Sequence, residues 1–254
     1  MNIVVCAKQV VDISEIKVDP STKRPVLSGI AKKISDIDKN AMEEAIKMKE
    51  KVGGRITVLT VGSADAKDRV KELLAMGADE GVVVVAPADS EYSVVATLLA
   101  AAVKKIGQVD ALLCGEASID LFSGQMGPRL AGLLDIPQLT YTTKLTVEKD
   151  HVTVERNLGD HAVTMTSPYP VLISVTKEIN TPRLPSLMQI LSSSSKPIRE
   201  WKAEELAGGP LTPRIKTLDV KGVPMSRKNI VYQDDLDASV HKLVGDLAKE
   251  GVLR

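Results

Sequence analysis

The sequence predicts an α/β fold: a doubly wound, mainly parallel sheet with antiparallel additions and an extended C-terminal arm. Short runs at 3–7, 82–85 and 111–114 are apolar throughout and the run at 56–61 is β-branched, as strands are when both faces of a sheet are covered. Helical patterns separate these runs, and strands alternating with helices give a parallel sheet. After Pro137 the texture changes to alternating β-branched and polar residues, which is how a half-exposed antiparallel pair reads.

The elements follow in order. The strand at 3–7 delivers Cys6-Ala7-Lys8, and a long charged connection with Pro20 and Gly29 reads as a hairpin-like excursion. A helix over 38–51 comes next, with Asp36 or Asp38 as N-cap and Gly53-Gly54 as its stop. After the strand at 56–61, a helix over 64–76 gathers Val70, Leu73, Leu74 and Met76 on one face and ends at Gly77. The strand at 82–85 leads to Val94, Val95, Leu98, Leu99, Ala102, Val103 and Ile106, a 3.6-residue period. The strand at 111–114 is followed by a helix over 126–134. Residues 140–147 and 151–157 form a strand pair around Glu148-Lys149-Asp150, and 171–175 is a further buried strand.

From about Asn180 the pattern lapses. Six of the 13 prolines lie between Pro182 and Pro224, with Ser192 to Ser195 and Gly208-Gly209-Pro210 among them. An amphipathic helix returns near Leu236, Val240, Leu243, Val244 and Leu247. A stretch of this length without a core of its own packs on something else. The chain therefore divides into an α/β domain at 1–180, a nucleotide-binding one by the argument below, and an arm at 181–254 that embraces another subunit.

Composition removes several function classes. In 254 residues, 33 Lys and Arg balance 33 Asp and Glu, so nothing favours a sequence-independent nucleic-acid binder. Aromatic residues make up 2%, too few for a module that stacks bases on rings. Cys6 and Cys114 form neither a CxxC pair nor a zinc cluster, and two cysteines without a disulfide framework suit a reducing compartment. No run is long enough for a membrane span or a signal peptide, so a cytoplasmic protein with no membrane insertion is expected.

Ligands of an open parallel sheet collect beyond the carboxyl ends of the strands, where the strand order reverses. The longest loop at such an end comprises Glu116, Ala117, Ser118, Ile119, Asp120, Leu121, Phe122, Ser123, Gly124 and Gln125, and runs into Met126, Gly127 and Pro128. Backbone amides at that helix start suit a phosphate; the plainer reading is that Gly124 and Gly127 only make a tight loop. GxGxxG and GxxxxGK[ST] are both missing after the first strand. His151, His161 and His241 lack ligand spacing, Ser123 has no His or Asp partner, and the carboxylates sit beside lysines on helix faces, where a solvated surface is the default. The residues thus describe a nucleotide-binding protein with no catalytic group and no metal site.

Several segments, in order and spacing, resemble the electron transfer flavoprotein β-subunit family: MNIVVCAKQVVD at 1–12, KNAMEEAIKMKEKVGG at 39–54, LAMGAD at 74–79, the loop at 115–138, and KEINTPRLPSL at 177–187 with Lys196-Pro197-Ile198. The resemblance implies an adenine-nucleotide α-hydrolase-like fold and a heterodimer whose α subunit carries the redox-active FAD. It also implies AMP, or in electron-bifurcating members a second FAD, in this subunit. Carried over, the nucleotide contacts fall on Cys6, Ala7, Asp36, Val61 and the loop from Glu116 to Gly127, with Ser123, Gly124, Gln125, Met126 and Gly127 toward the phosphate. Leu187 corresponds to the leucine with which the family docks a flavin-dependent acyl-CoA or similar dehydrogenase. The chain departs from the family at Ser35-Asp36, where many members have Asn-Pro. It departs again at Ser192 to Ser195, where many have a lysine run. An ATP-using enzyme and a stress-type nucleotide-binding homodimer are the alternatives from other classes.

Overall fold

A computed structural model of the chain describes residues 1–209, 211–223 and 227–253. Nine strands form one sheet: β1 (Asn2–Cys6), β2 (Arg55–Gly62), β3 (Glu80–Val85), β4 (Ala111–Gly115), β5 (Gln138–Val147), β6 (His151–Asn157), β7 (Ala162–Pro168), β8 (Val171–Val175) and β9 (Ile198–Lys202). Their spatial order is β7-β6-β5-β8-β4-β1-β2-β3-β9. From β5 through β9 the neighbours pair in parallel, whereas β5, β6 and β7 form an antiparallel meander. This is the predicted α/β architecture.

Helices α1 (Asp36–Val52) and α2 (Ala66–Met76) cover one face, and α3 (Tyr92–Ile106) and α4 (Met126–Leu134) the other. Alternate strand residues feed the two cores. Ile3, Val5, Ile56, Val58, Leu113 and Ile173 pack with Met42, Leu73 and Leu74 under α1 and α2. Val4, Leu59, Val82, Val84 and Leu112 pack with Leu98, Leu99 and Leu130 under α3 and α4. Each such side chain contributes roughly 1.5–3 kcal/mol by leaving water, and these cores are aliphatic, as the scarcity of aromatics requires. The excursion before α1 is two short antiparallel ribbons, Gln9–Val11 with Lys32–Ile34 and Lys17–Val18 with Pro25–Val26.

Three features differ from the expectation. Helix α1 begins at Asp36 with Ser35 as N-cap, so neither Asp36 nor Asp38 caps it. Strand β7 has no apolar run because, at the sheet edge, nearly every residue is at least partly exposed. Strand β9 comes from the segment after Asn180 and extends the other edge with the sequence IREWK. Polar contacts hold it there. Glu80 accepts from the Arg199 guanidinium (2.7 Å) and pairs with Arg55 (2.9 Å), while Trp201 lies under the Lys105 ammonium (4.6 Å). Helices α5 (Leu187–Ser193), α6 (Ala203–Ala207) and α7 (Leu236–Lys249) lie in the C-terminal segment, and α7 buries none of its residues.

Candidate functional site

The strand order reverses between β1 and β4. From β1 the chain adds β2 and β3 on one side, then returns through α3 to place β4 on the other. The connection leaving β1 leads to α1 on one face and that leaving β4 leads to α4 on the opposite face, so the two connections part here, at the place where ligands of open parallel sheets collect. Pairing of β1 with β4 runs from Ile3↔Ala111 to Val5↔Leu113. Beyond that register a side chain takes over. Asp38 of α1 accepts the Lys8 N–H on Oδ2 (2.8 Å) and the Gly115 N–H on Oδ1 (3.0 Å). Its carboxyl is buried, and burial pushes it up to about 7 against the opposite pull of the two amides. Gly115 permits the contact, since a Cβ there would lie 2.8 Å from Asp38 Oδ1 and 2.9 Å from Ile37 Cγ2.

The loop from Glu116 to Gln125 is fixed at several points. The Glu116 N–H donates to Val175 O (2.9 Å), the Ile119 N–H to Ser35 Oγ (3.4 Å), and the Lys8 ammonium to Asp120 (2.7 Å). The Phe122 N–H closes a turn on Ser118 O (2.9 Å). Phe122 and Gly124 are left-handed, at φ +45° and +64°; this costs glycine little and phenylalanine more. Leu121 and Phe122 stand exposed at the tip, and Ser123 and Gly124 are half-buried. Helix α4 then starts at Met126 with no side-chain cap: the Gln125 carbonyl oxygen of the side chain instead accepts from Arg129 (2.9 Å). Its first amides are free for an anion. Gly127 lies against the sheet, where a Cβ would meet Cys114 Sγ at 3.3 Å and Leu172 Cδ2 at 3.4 Å.

Cys6 and Ala7 are buried at the end of β1, and Val61 is half-buried near the end of β2. Burial, then the Asp38 charge, pushes the Cys6 thiol up to about 12, and burial, then Cys6 and Asp38, pushes Cys114 well above the usual thiol range. Both are therefore neutral packing thiols. Burial, then the Glu178 carboxylate, raises Glu116. Asp36 forms an ion pair with Lys33 (3.1 Å) and lines a cleft of about 620 Å³ with Lys39, Asn40, Lys177, Glu178 and Asn180.

Sequence reasoning missed the polar inner face of α1. It expects carboxylates beside lysines to be solvated, yet Asp38, Asn40, Glu43 and Glu44 are buried. Asn40 and Asn180 exchange hydrogen bonds: the Asn40 amide donates to Asn180 O (2.8 Å) and the Asn180 amide to Asn40 O (2.9 Å). Arg183 donates to Glu43 through Nε (2.9 Å) and NH2 (2.9 Å) and to Glu50 through NH1 (2.6 Å). The Glu50 and Glu43 carboxylates push its guanidinium still further up. The available signal was the spacing itself, since Asn40, Glu43 and Glu44 share one helix face at intervals of three and four residues. This latch carries the chain to Ser186, whose hydroxyl accepts the Gln189 N–H (3.3 Å) while Gln189 Oε1 accepts the Ser186 N–H (2.7 Å). Leu187 is thus the first residue of a capped helix, and it is 71% exposed beside Leu184, Met188 and Leu191.

A mostly parallel sheet with helices on both faces, a switch point between β1 and β4 and a pinned loop entering an uncapped helix define an α/β protein of the open-sheet class. The chain matches the electron transfer flavoprotein domain over residues 26–206. It is 36% identical over 261 aligned residues to the electron transfer flavoprotein subunit beta of Thermoanaerobacterium thermosaccharolyticum, covering 100% of both chains. It is 36% identical to the subunit of the same name from Clostridium acetobutylicum, over 81% of this chain and 80% of that one. It is 35% identical to the caffeyl-CoA reductase-Etf complex subunit CarD of Acetobacterium woodii, over 83% and 81%. The chain belongs to the electron transfer flavoprotein family, as a β subunit.

Proposed function

We propose that the chain acts as an electron-carrier subunit that holds an adenine nucleotide, AMP or a second FAD, in the crevice between β1 and β4. Its partner is an electron transfer flavoprotein α subunit carrying the redox FAD. The observation that carries the reading is the loop from Glu116 to Gln125. It is rooted at the switch point by Gly115, tied back by Lys8 and Ser35, and delivered into the uncapped start of α4. A phosphate fits such a helix start because the free amides and the helix dipole both favour an anion. Cys6, Ala7, Val61 and Asp36 then line the way to the base or ring, and the protein itself performs no bond chemistry.

The arm after Asn180 supports the pairing. Helix α7 leaves Leu236, Val240, Leu243 and Val244 exposed at helical spacing, an apolar face suited to a second subunit. The exposed cluster at Leu184, Leu187, Met188 and Leu191 suits docking of a flavin-dependent acyl-CoA or similar dehydrogenase, with Leu187 as the anchor. The Lys196 ammonium is held on its own subunit, donating to the carbonyls of Leu74 (2.8 Å) and Ala78 (2.7 Å). We place the complex in the cytoplasm. No described helix is long and apolar enough to cross a membrane.

The test is cofactor release from the co-purified complex. Equal amounts of FAD and AMP make this chain the structural holder in a one-flavin carrier. Two FAD and no AMP put a redox flavin in this crevice and make electron bifurcation the mechanism. Absence of any nucleotide beyond the flavin of α would refute the reading.

A further inference from the structure

Asp38 occupies the first turn of α1, yet its carboxylate serves no amide of that helix. Oδ2 takes the N–H of Lys8 and Oδ1 that of Gly115. These amides belong to the two chain segments that part at the switch point, just where the ladder between β1 and β4 stops at Val5↔Leu113. The carboxylate therefore replaces the next rung and sets how far apart the two loop roots stand.

The residue type follows from this position. An ionised carboxylate offers acceptors on both oxygens. Asparagine would accept one N–H and turn its own NH₂ toward the other, and an apolar side chain would leave both amides without this acceptor. Gly115 completes the arrangement, because any Cβ would press on Oδ1 and on Ile37. The groups facing Asp38 from each side are the neutral thiols of Cys6 and Cys114, the Lys8 ammonium and the Asp120 carboxylate that pairs with it.

We propose that Asp38 is the positioning residue of the nucleotide crevice, holding the roots of the loops after β1 and β4 at the spacing that adenine-nucleotide binding needs. The proposal rests on the nucleotide reading above and adds to it a residue that is not itself a ligand contact. Protonation turns one oxygen into a hydroxyl and gives up one of the two acceptors. With the carboxyl near 7, the clamp is complete above that pH and slackens below it.

The experiment uses the αβ complex, wild type and Asp38→Asn, stripped of the nucleotide of this subunit. Each is titrated by calorimetry with AMP and separately with FAD between about pH 6 and about pH 8, a span that brackets the titration. The absorbance of the α-subunit flavin reports that the complex is intact. At the upper pH, Asp38→Asn binds about tenfold more weakly, corresponding to about 1.4 kcal/mol. The ratio of the two affinities shrinks toward one at the lower pH, and the ligand phosphate's own titration cancels in that ratio. A ratio near one throughout, or one that does not move with pH, overturns the proposal while leaving the nucleotide reading in place. Wild type that binds neither probe overturns both. Should Asp38→Asn fail to assemble, Gly115→Ala disturbs the same contact from the other side. Weakened binding whose ratio to wild type likewise shrinks toward one at the lower pH supports the proposal; unchanged affinity, or a ratio that does not move with pH, overturns it.

Discussion

Removing Arg183 should destabilise the fold more than neutralising its partner, and the burial of the pair gives the reason. The Glu43 side chain is 6% exposed and receives two guanidinium bonds from Arg183, which is 36% exposed and also paired with Glu50. Truncating one member of a buried pair costs about 3–5 kcal/mol, because the other charge is left desolvated and alone. Arg183 is open enough for water to screen part of this, and the Arg183 backbone N–H (3.1 Å) still reaches Glu43. Arg183→Leu should therefore cost about 2 kcal/mol. Glu43→Gln leaves a solvated guanidinium still held by Glu50, so its cost should be about 1 kcal/mol. Urea unfolding read by circular dichroism measures both through the midpoint, with an unchanged m-value showing that the unfolded state has not shifted. Equal costs, or a larger cost for Glu43→Gln, would refute the argument that a buried carboxylate carries the penalty.

Further expectations concern charge, thiols and packing. Asp38 titrates near 7 in the fold against 3.8 as its ordinary value, so its ionisation opposes folding. That contribution is intact below the unfolded value and lost as pH climbs to about 7. Wild type should accordingly lose up to about 4 kcal/mol relative to Asp38→Asn between about pH 4 and about pH 7, measured by denaturation at each pH; a constant difference would contradict it. Cys6 and Cys114, buried and neutral, should resist a thiol reagent in native protein and react on unfolding, as timed labelling in urea would show. Gly127→Ala places a methyl 3.3 Å from Cys114 Sγ and should cost about 1 kcal/mol while weakening the nucleotide complex, read by melting with and without AMP. Leu187→Ala should leave stability within about 0.5 kcal/mol, since the side chain is already in water. It should slow electron transfer from a dehydrogenase without changing flavin content; an unchanged rate would remove the anchor role.

The parallel sheet is legible in the amino-acid order because β1, β2, β3, β4 and β8 are buried on both faces and so are written as mostly apolar runs. The sequence also placed the loop from Glu116 to Gln125 at a strand end and the start of α4 at Met126, both set by local backbone chemistry at Gly124, Gly127 and Pro128. The outer strands were harder. Nearly every residue of β7 is at least partly exposed, and β9 is held by Glu80, Arg199 and Trp201, so neither carries a buried apolar stripe. The inner face of α1 was illegible for a related reason: a carboxylate reads the same in sequence whether it is solvated or paired with a group 140 residues away, as Glu43 is with Arg183. That Asp38 joins Lys8 to Gly115 follows from contacts across the folded sheet and is invisible in the order of residues. The partners of a buried charge come from chain segments that meet only when the sheet has closed.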